Sequence, residues 1–283
     1  MPGCSKRSWP GRAEPVRPLS LMPDAVAAAV EVVFADIDDT LTDDGRLSAD
    51  AYRALEDLSG AGIVVAPITG RPAGWCDMIA RFWPVAGVVG ENGAFYFAYD
   101  RAARRMRRVF AASGAEREDN RRRLAAVRAR ILAEVPGAAV SADQAYREAD
   151  LAIDFREDVA PLDRACVARI KAIFEAEGAL AKVSSIHVNG WFGQYDKLSM
   201  TRRFAAEVIG RDLDAMRERV VFVGDSPNDA PMFGFFPHSC GVANLLDFAG
   251  ELEAEPTYVA AEPGGRGFVA VARHLLAARG PGR

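Results

Sequence analysis

The chain has 283 residues, of which 50% are hydrophobic and 26% are charged, and its formal net charge is -4 at pH 7. This composition is typical of a globular protein with one large domain or two of moderate size, and the acidic balance argues against a nucleic-acid surface. The four cysteines form no CxxC pair, which argues against a zinc site and a disulfide framework and indicates a reducing compartment. No apolar run reaches the roughly 18 residues that a membrane helix needs.

The N-terminal segment, residues 1–27, contains several prolines and basic residues but no apolar stretch of the kind found in a secretory signal. We therefore predict a disordered tail over 1–27, or an extension upstream of a true start at Met22. Cytoplasm is the expected location of the protein.

Apolar runs of strand length then alternate with helical patterns. EVVFA (31–35), GIVVAPIT (62–69) and AGVVG (86–90) have the length of buried strands, and the segments between them have apolar residues at helical spacing. This order predicts a parallel sheet with right-handed crossovers. Because the same rhythm returns late in the chain, we expect a Rossmann-like α/β core formed by residues 28–90 and 191–283.

The pattern between these two parts is different. It contains an antiparallel pair of strands, an Arg-rich helix over about 114–134, an alternating strand AYREADLAIDF (145–155) and a helix over 161–178. The dipeptide Asn189–Gly190 lies between two strand-like runs and predicts a hairpin turn. We predict an α+β cap domain inserted over residues 91–190.

Polar side chains follow the core strands. Asp36, Thr69 and Asp225 each come directly after an apolar strand. Because parallel strands present their ligand-binding residues at their carboxyl ends, we expect these three side chains to converge. Asp38 lies two residues after Asp36 and points the same way in an extended chain, and Asp229 follows shortly after Asp225. Such a set of carboxylate oxygens suits Mg²⁺.

The aspartates do not form an EF-hand loop. Counted from Asp36, the sixth position is Leu41 where glycine is required, and the twelfth is Leu47 where glutamate is required. The following Asp43 and Asp44 are interpreted as parts of a solvated loop.

Four short segments together resemble the motifs of the haloacid dehalogenase superfamily of phosphotransferases. They are DIDDT (36–40), ITGRP (68–72), Lys197 in QYDK and GDSPND (224–229), and they occur in the family's order. The resemblance covers residues 30 to 280. The insertion between the second and third motifs, with GENGA (90–94) at its start, is similar to the branch with an α/β cap, which includes Cof-type sugar phosphatases, sucrose-phosphate phosphatases and phosphomannomutases.

The resemblance implies a role for each motif residue. Asp36 would be the nucleophile that forms an aspartyl-phosphate. Asp38 would be the general acid and then the general base, and its main-chain carbonyl would bind Mg²⁺. Thr69 would hold the transferring phosphoryl group, and Lys197 would neutralise charge between nucleophile and phosphate.

The resemblance also implies the metal and phosphate contacts. Asp36 and Asp38 would share the Mg²⁺ with Asp225, and Asp229 would be a further ligand or a partner of the ligands. The substrate-binding candidates beside the motifs are Gly70, Arg71, Asn92 and Asn228.

The strands of the cap predict a polar face above the core. If the cap helices cover the apolar side of these strands, the polar side looks down on the site, where it would select the leaving group. Its candidate residues are Glu148, Asp150, Asp154, His187 and Asn189. A solvated sheet face with no role in binding is the alternative. The Arg-rich run 101–130 also carries acidic residues and is interpreted as a salt-bridged surface.

The sequence therefore predicts a Mg²⁺-dependent phosphatase that acts on a small phosphorylated metabolite, a sugar phosphate above all. Two alternatives stay open, namely a sugar phosphomutase of the same superfamily and a catalytically silent binding protein that retains the fold. Neither a nucleic-acid partner nor a membrane is expected, and the sequence gives no oligomeric state.

Overall fold

The computed structural model describes residues 16–248 and 250–280 of the chain. Its strands, numbered in chain order, are β1 (Arg17–Pro18), β2 (Val32–Ala35), β3 (Thr42–Asp43), β4 (Arg46–Leu47), β5 (Val64–Pro67), β6 (Val88–Gly90), β7 (Phe95–Asp100), β8 (Arg105–Phe110), β9 (Ala139–Val140), β10 (Leu151–Asp154), β11 (Leu180–Val183), β12 (His187–Trp191), β13 (Val220–Gly224), β14 (Cys240–Gly241) and β15 (Tyr258–Val259). Its α-helices are α1 (Asp24–Ala29), α2 (Ala49–Gly60), α3 (Ala73–Phe82), α4 (Gly114–Glu134), α5 (Arg164–Ala176), α6 (Lys197–Phe204), α7 (Leu213–Met216), α8 (Ala230–Phe235) and α9 (Gly264–Ala278).

The core contains a six-stranded sheet in the order β1-β15-β14-β13-β2-β5, and all neighbouring strands in it are parallel. Ala35 of β2 pairs with Val223 of β13 on one side and with Pro67 of β5 on the other. The carboxyl ends of these three strands therefore lie side by side. The predicted Rossmann-like α/β fold is confirmed.

Helices cover both faces of this sheet. Successive side chains of a strand point to opposite faces, so Val33 and Ala35 pack in an apolar cluster with α2 and α9, whereas Val32 and Phe34 pack in a second cluster with α6 and α8. Strand β2 is thus buried on both faces, which gives the residues that follow it a rigid support. No helix in residues 16–248 and 250–280 is long and apolar enough to cross a membrane.

The predicted disordered tail is wrong for residues 16–27. Strand β1 pairs in parallel with β15 through Arg17 and Tyr258, and Leu19 and Met22 are buried. Helix α1 lies against α9. A few apolar side chains suffice to close the edge of the sheet, although the surrounding composition is typical of a tail. Residues 1–15, which the same prediction includes, lie outside the described residues.

The β7–β8 hairpin packs with the core. Strand β7 pairs with β6, Phe95 and Phe97 join one core cluster, and Tyr96 joins the other. The separate apolar cluster of the cap begins at Leu124. The clusters therefore divide the chain after the hairpin, whereas the sequence pattern predicts the division at residue 91. Local alternation reveals a hairpin but not the distant side chains that cover it.

The cap is a four-stranded antiparallel sheet in the order β11-β12-β10-β9, with α4 and α5 on one face. Leu151 and Ile153 of β10 pack with the helices in one apolar cluster. Asp154 of β10 pairs with His187 of β12, so both lie on the opposite face of the sheet. The cap therefore has a dry helical side and a polar side, as the alternation predicts.

The predicted hairpin turn at Asn189–Gly190 is wrong. Both residues lie inside β12, and the chain reverses between β11 and β12 instead. A Cβ atom at Gly190 would lie 2.1 Å from the ring of Phe174, so this glycine allows α5 to approach the sheet closely. The strong turn signal of Asn-Gly was outweighed by a packing requirement.

Candidate active site

Three acidic side chains meet at the carboxyl edge of the core sheet. Asp36 follows β2, Asp225 follows β13, and Asp229 ends the short turn Pro227–Asp229 that leads into α8. Carboxylate oxygens of these three residues lie within 4.8 Å of one another, and all three residues are buried. Of the three strand-end residues predicted to converge, the structure thus brings Asp36 and Asp225 together, and Asp229 rather than Thr69 completes the acidic cluster.

Burial and mutual repulsion oppose the ionisation of this cluster. Desolvation raises the pKa of Asp36 to about 7, against the opposing effect of Lys197. Desolvation, followed by the negative charges of Asp229 and Asp36, raises the pKa of Asp225 well above its ordinary value. A cation among these oxygens would relieve both effects, so the donor set suits a divalent metal ion.

Lys197 supplies a fixed positive charge to the cluster. Its Nζ atom lies 3.1 Å from Asp36 Oδ2 and 2.7 Å from Asp229 Oδ1, and the side chain is buried. Burial lowers the pKa of Lys197, but the charges of Asp229 and Asp36 outweigh this effect and raise it above its usual range. The lysine is therefore held in its charged form beside the predicted nucleophile, as its motif implies.

Asp229 makes several bonds within the protein. Its Oδ1 accepts a hydrogen bond from Lys197, and its Oδ2 accepts the backbone N–H groups of Asp225 at 3.1 Å and Ser226 at 3.4 Å. Gly224 leaves room for this contact, because a Cβ atom there would lie 2.4 Å from Asp229 Oδ2. These bonds favour a positioning role for Asp229, and its role as a direct metal ligand stays a prediction.

Asp225 is oriented by neutral donors. The Thr40 hydroxyl donates to its Oδ1 at 3.1 Å, and the Asn244 amide donates to its Oδ2 at 3.2 Å. The same amide also donates to the carbonyl oxygen of Asp39 at 3.0 Å. Asn244 was not predicted, because a single asparagine outside the four motifs gives no signal.

Asp38 is paired with Arg71, and this pair reaches the cap. Arg71 Nε donates to Asp38 Oδ1 at 2.9 Å, and its Nη2 donates to Glu157 Oε1 at 2.8 Å. The guanidinium group lies over the Trp75 ring, 4.4 Å from its centroid. Arg71 therefore holds the Asp38 carboxylate in place. Its N–H donors, which were predicted to bind substrate, bind carboxylates of the protein.

The phosphate-binding candidates surround the second motif. The Thr69 hydroxyl accepts the backbone N–H of Arg71 at 3.1 Å, and the N–H of Asn92 donates to the Thr69 carbonyl oxygen at 3.0 Å. A Cβ atom at Gly70 would lie 3.2 Å from the Asn92 amide, so glycine permits this approach. Within the described part of the chain, Asn92 Oδ1 is buried and has no hydrogen-bond partner, which leaves it available to a ligand.

The polar face of the cap closes over these residues. His187 and Asn189 line the same narrow cavity as Asp36, Asp38 and Asn228. Two of the five predicted cap residues thus line a cavity together with the predicted nucleophile, and their part in selecting the leaving group stays a prediction.

Asp150 has a structural partner, the buried Arg147, which the sequence analysis missed. Arg147 donates to Asp143 at 2.9 Å and to Asp150 at 3.0 Å, and it also donates to the Gly70 carbonyl oxygen of the core at 2.9 Å. Asn189 donates a further bond to Asp150 at 2.9 Å. The Asp150 carboxylate is therefore held by the protein, and nothing in the local sequence distinguishes Arg147 from the many other arginines.

Asp154 and Glu148 do not line the narrow cavity. The Asp154 carboxylate accepts the backbone N–H groups of residues 156–158 and so shapes the loop that presents Glu157. The Glu148 side chain is 44% exposed and pairs with Arg117 of α4 at 2.7 Å. Alternation along the strand cannot show that a carboxylate is already satisfied by its own loop or by a neighbouring helix.

Glu91 joins the core to the cap, a role that the sequence analysis missed. This buried carboxylate accepts the backbone N–H of Ala73, at the start of α3, at 3.0 Å. It also accepts the three N–H groups of residues 148–150, which lead into β10, at 2.6–3.1 Å. One side chain thus satisfies four backbone donors from both parts of the molecule.

The bonds of Glu157 make the stability of the fold sensitive to acid. Burial raises the pKa of Glu157, but the bonds with His187 and Arg71 outweigh it and lower the pKa to about 2. An unfolded glutamate has a pKa of about 4.3, so the unfolded chain binds this proton first as pH falls. The stabilisation is therefore present above about pH 5 and is lost as the pH falls towards 2.

We expect the free energy of unfolding of the wild type to fall by about 2 kcal/mol more than that of Glu157→Gln between pH 5 and 2.5, after allowance for solvent screening. Urea unfolding at several pH values measures this difference. Glu148→Gln, which removes an exposed carboxylate, is the control and should keep the wild-type slope. Equal slopes for wild type and Glu157→Gln would contradict the assigned ion pairs.

Solved structures with low sequence identity share this fold. A Thermoplasma acidophilum protein is 19% identical, with a TM-score of 0.65, and the match covers 87% of this chain and 98% of that one. A haloacid dehalogenase-like hydrolase from Bacteroides thetaiotaomicron is 15% identical, with a TM-score of 0.58 and coverage of 87% and 99%. The sucrose-phosphatase from Synechocystis, solved with sucrose and phosphate, is 12% identical, with a TM-score of 0.59 and coverage of 86% and 97%. Neither a protein-family model nor a curated protein matches the sequence.

These likenesses establish the class of architecture. The chain has the fold of the haloacid dehalogenase-like hydrolases, with a parallel-sheet core and an α+β cap. The resemblance that the four motifs indicate is therefore confirmed at the level of the fold.

Proposed function

We propose that this protein is a Mg²⁺-dependent phosphatase that hydrolyses a small phosphorylated metabolite through an aspartyl-phosphate intermediate. The observation that carries the proposal is the contact between Asp36 and Lys197, at 3.1 Å, beside the buried Asp225 and beneath the polar face of the cap. Phosphoryl transfer requires a positioned nucleophile and positive charge that offsets the charge of the phosphoryl oxygens. Asp36 would be the nucleophile, and Lys197 and the metal ion would supply the positive charge. The neighbouring solved phosphatases support the assignment through their shared fold.

The first step forms a covalent intermediate on Asp36. One of its carboxylate oxygens bonds to phosphorus while the ester P–O bond breaks, which gives an acyl phosphate and the free alcohol. Lys197 offsets the repulsion between the incoming carboxylate and the anionic phosphoryl group. Thr69 and Asn92 lie together at the neighbouring strand end, where the Thr69 hydroxyl and the Asn92 side-chain N–H groups would donate to the phosphoryl oxygens.

Asp38 moves the protons. It donates a proton to the leaving oxygen in the first step and accepts one from the water that attacks phosphorus in the second. The second step breaks the acyl phosphate, releases inorganic phosphate and restores Asp36. Arg71, 2.9 Å from Asp38 Oδ1, holds the carboxylate in place. A carboxyl group here favours phosphate esters over halides, because an alkoxide needs a proton and a halide does not.

The donor set fits a magnesium ion. Asp36 and Asp225 would hold the ion together with the main-chain carbonyl of Asp38, and Asp229 would hold the cluster in shape. The fit rests on buried carboxylate oxygens within 4.8 Å of one another and on the raised pKa of Asp225. When bound, the ion neutralises negative charge on the carboxylates and on the phosphoryl oxygens.

The substrate class follows from the groups above the nucleophile. Ser185, His187 and Asn189 offer a hydroxyl, an imidazole and an amide to the narrow cavity, and these groups suit the hydroxyls of a sugar phosphate.

The cysteines of the described residues, Cys76, Cys166 and Cys240, are free, which is consistent with the proposed location in the cytoplasm.

Removal of the metal should abolish activity. We expect a panel of phosphate monoesters to show release of inorganic phosphate with Mg²⁺ and a fall of at least about 10³-fold in excess EDTA, because the charge of the cluster is then uncompensated. Addition of Mg²⁺ in excess over the chelator should restore the rate. Release that is unchanged by EDTA would contradict the metal assignment.

The same panel tests the alternatives. Isomerised sugar phosphate formed with a bisphosphate activator, in place of released phosphate, would favour a mutase. Binding of Mg²⁺ without turnover of any ester would favour a silent binding protein and overturn the proposed hydrolysis.

A further inference from the structure

A large cavity lies beside the narrow one, between the core and the cap. Its volume is about 980 Å³. Ser184, Ser185 and Asn228 line both cavities, so the two spaces adjoin. The leaving group of a substrate with its phosphorus at Asp36 would lie next to the larger cavity.

The two walls of this cavity carry opposite charge. The cap contributes four cations and, among the described residues, no acidic side chain; the cations are Arg156, Arg164, Lys171 and Lys182. The core wall is largely acidic and includes Asp43, Asp44 and Asp247. An anionic group in the cavity is thus repelled by the core and attracted towards the cap, which orients the molecule that carries it.

Lys182 and Arg156 are the two cap-wall cations without an ion pair to the described residues, and of these two Arg156 is exposed whereas Lys182 is half-buried. Arg164 pairs with Glu251 at 2.8 Å and Lys171 pairs with Glu175 at 3.6 Å. Lys182 is half-buried and forms no ion pair with any residue of the described chain. Removing an ammonium group from water without a counter-charge is unfavourable, so a bound anion would stabilise this position.

The register of the cap sheet aims Lys182 at the site. It lies directly opposite Asn189 in the antiparallel β11–β12 pair, so both side chains are on the face that covers the core. Strand β11 also lies against the Pro227–Asp229 turn of the fourth motif. The lysine thus lies in the wall of the large cavity, on the core-facing side of the cap and close to the fourth motif.

We infer that Lys182 binds a second anionic group on the leaving group, so that the preferred substrates are phosphate monoesters that also carry a carboxylate or a second phosphate. This inference rests on the proposed phosphatase function and names the substrate class within it. The ammonium group would form a charge-assisted hydrogen bond with the second anion.

Matched pairs of esters test the inference. The pairs are glycerol 3-phosphate with 3-phosphoglycerate, and fructose 6-phosphate with fructose 1,6-bisphosphate, so that one pair adds a carboxylate and the other adds a phosphate. We expect wild-type kcat/KM to favour the more anionic member of at least one pair by about tenfold. Lys182→Met should remove that preference and change the rate on the less anionic member less than twofold.

Two further variants sharpen the result. Lys182→Arg should retain most of the preference, because it keeps the charge. Lys171→Met, which removes the paired lysine of the same wall, should behave as wild type. Equal loss on both members of a pair in Lys182→Met, or no preference in either pair, would overturn the inference.

Failure of the proposed phosphatase function can be distinguished from failure of the anion site at Lys182. If no ester is hydrolysed, the same esters can be titrated calorimetrically into Asp36→Asn and into the double variant with Lys182→Met. Tighter binding of the more anionic member that disappears in the double variant upholds the anion site without turnover. Equal binding of both members overturns it.

Discussion

Replacement of Asp36 by asparagine is expected to lower kcat for phosphate release by about 10⁴-fold or more while the fold is retained, because the amide cannot form the acyl phosphate. Asparagine has the shape of aspartate, and burial raises the pKa of Asp36 to about 7, so the folded protein gains little from this ionised carboxylate. The free energy of unfolding at pH 8 should therefore be equal to that of wild type or higher.

Asp44→Asn is the matched control for this substitution. Asp44 lies in the same acidic run, is exposed and has a left-handed φ of 48°, which asparagine tolerates well. Both variants should be assayed for phosphate release and for stability in urea. Residual activity of Asp36→Asn above about 1% of wild type would show that the nucleophile is another group.

Replacement of Lys197 by methionine is expected to damage both activity and stability. It leaves Asp36 and Asp229 buried without their common cation, whose Nζ atom lies within 3.1 Å of both. Loss of one partner from a buried ion pair costs about 3–5 kcal/mol, and we expect a fall of that size in the free energy of unfolding at pH 8. The value of kcat should fall by about 10³-fold, since the nucleophile would then repel the phosphate.

The pH dependence of the stability loss in Lys197→Met shows whether the loss comes from the charge of Asp36. Without Lys197 the pKa of Asp36 would rise further above 7, so the carboxylate would be protonated at pH 5.5 and the stability deficit would shrink there. Urea unfolding of wild type and Lys197→Met at pH 5.5 and 8 measures the change. Lys171→Met removes an exposed lysine and should be neutral at both values. A deficit that is independent of pH would point to a packing defect instead.

The core of the site could be predicted from sequence because it depends on local order. Asp36 and Asp225 directly follow buried parallel strands, and strand direction alone brings them to one edge of the sheet. Lys197 was predicted from its motif, and the structure places it 3.1 Å from Asp36. In these cases the position in the chain determines the position in space.

The contacts of the cap residues involve partners that are distant in the sequence or that no sequence pattern identifies. Alternation predicts that Asp150 and Asp154 point away from the helical side of the cap sheet. It cannot show that Arg147 already bonds to Asp150, or that three backbone N–H groups already bond to Asp154. Glu91 lies within a segment that the sequence analysis quoted, yet its four donors come from Ala73 and residues 148–150. Such contacts are properties of the assembled chain.

The four hydrogen bonds of Glu91 also couple the folding of the two parts of the molecule. They connect Ala73, at the start of helix α3 of the core, with residues 148–150, which lead into β10 of the cap. Removal of this one carboxylate would leave four backbone N–H groups without their acceptor. The start of α3 and the approach to β10 would therefore be weakened together by a single substitution.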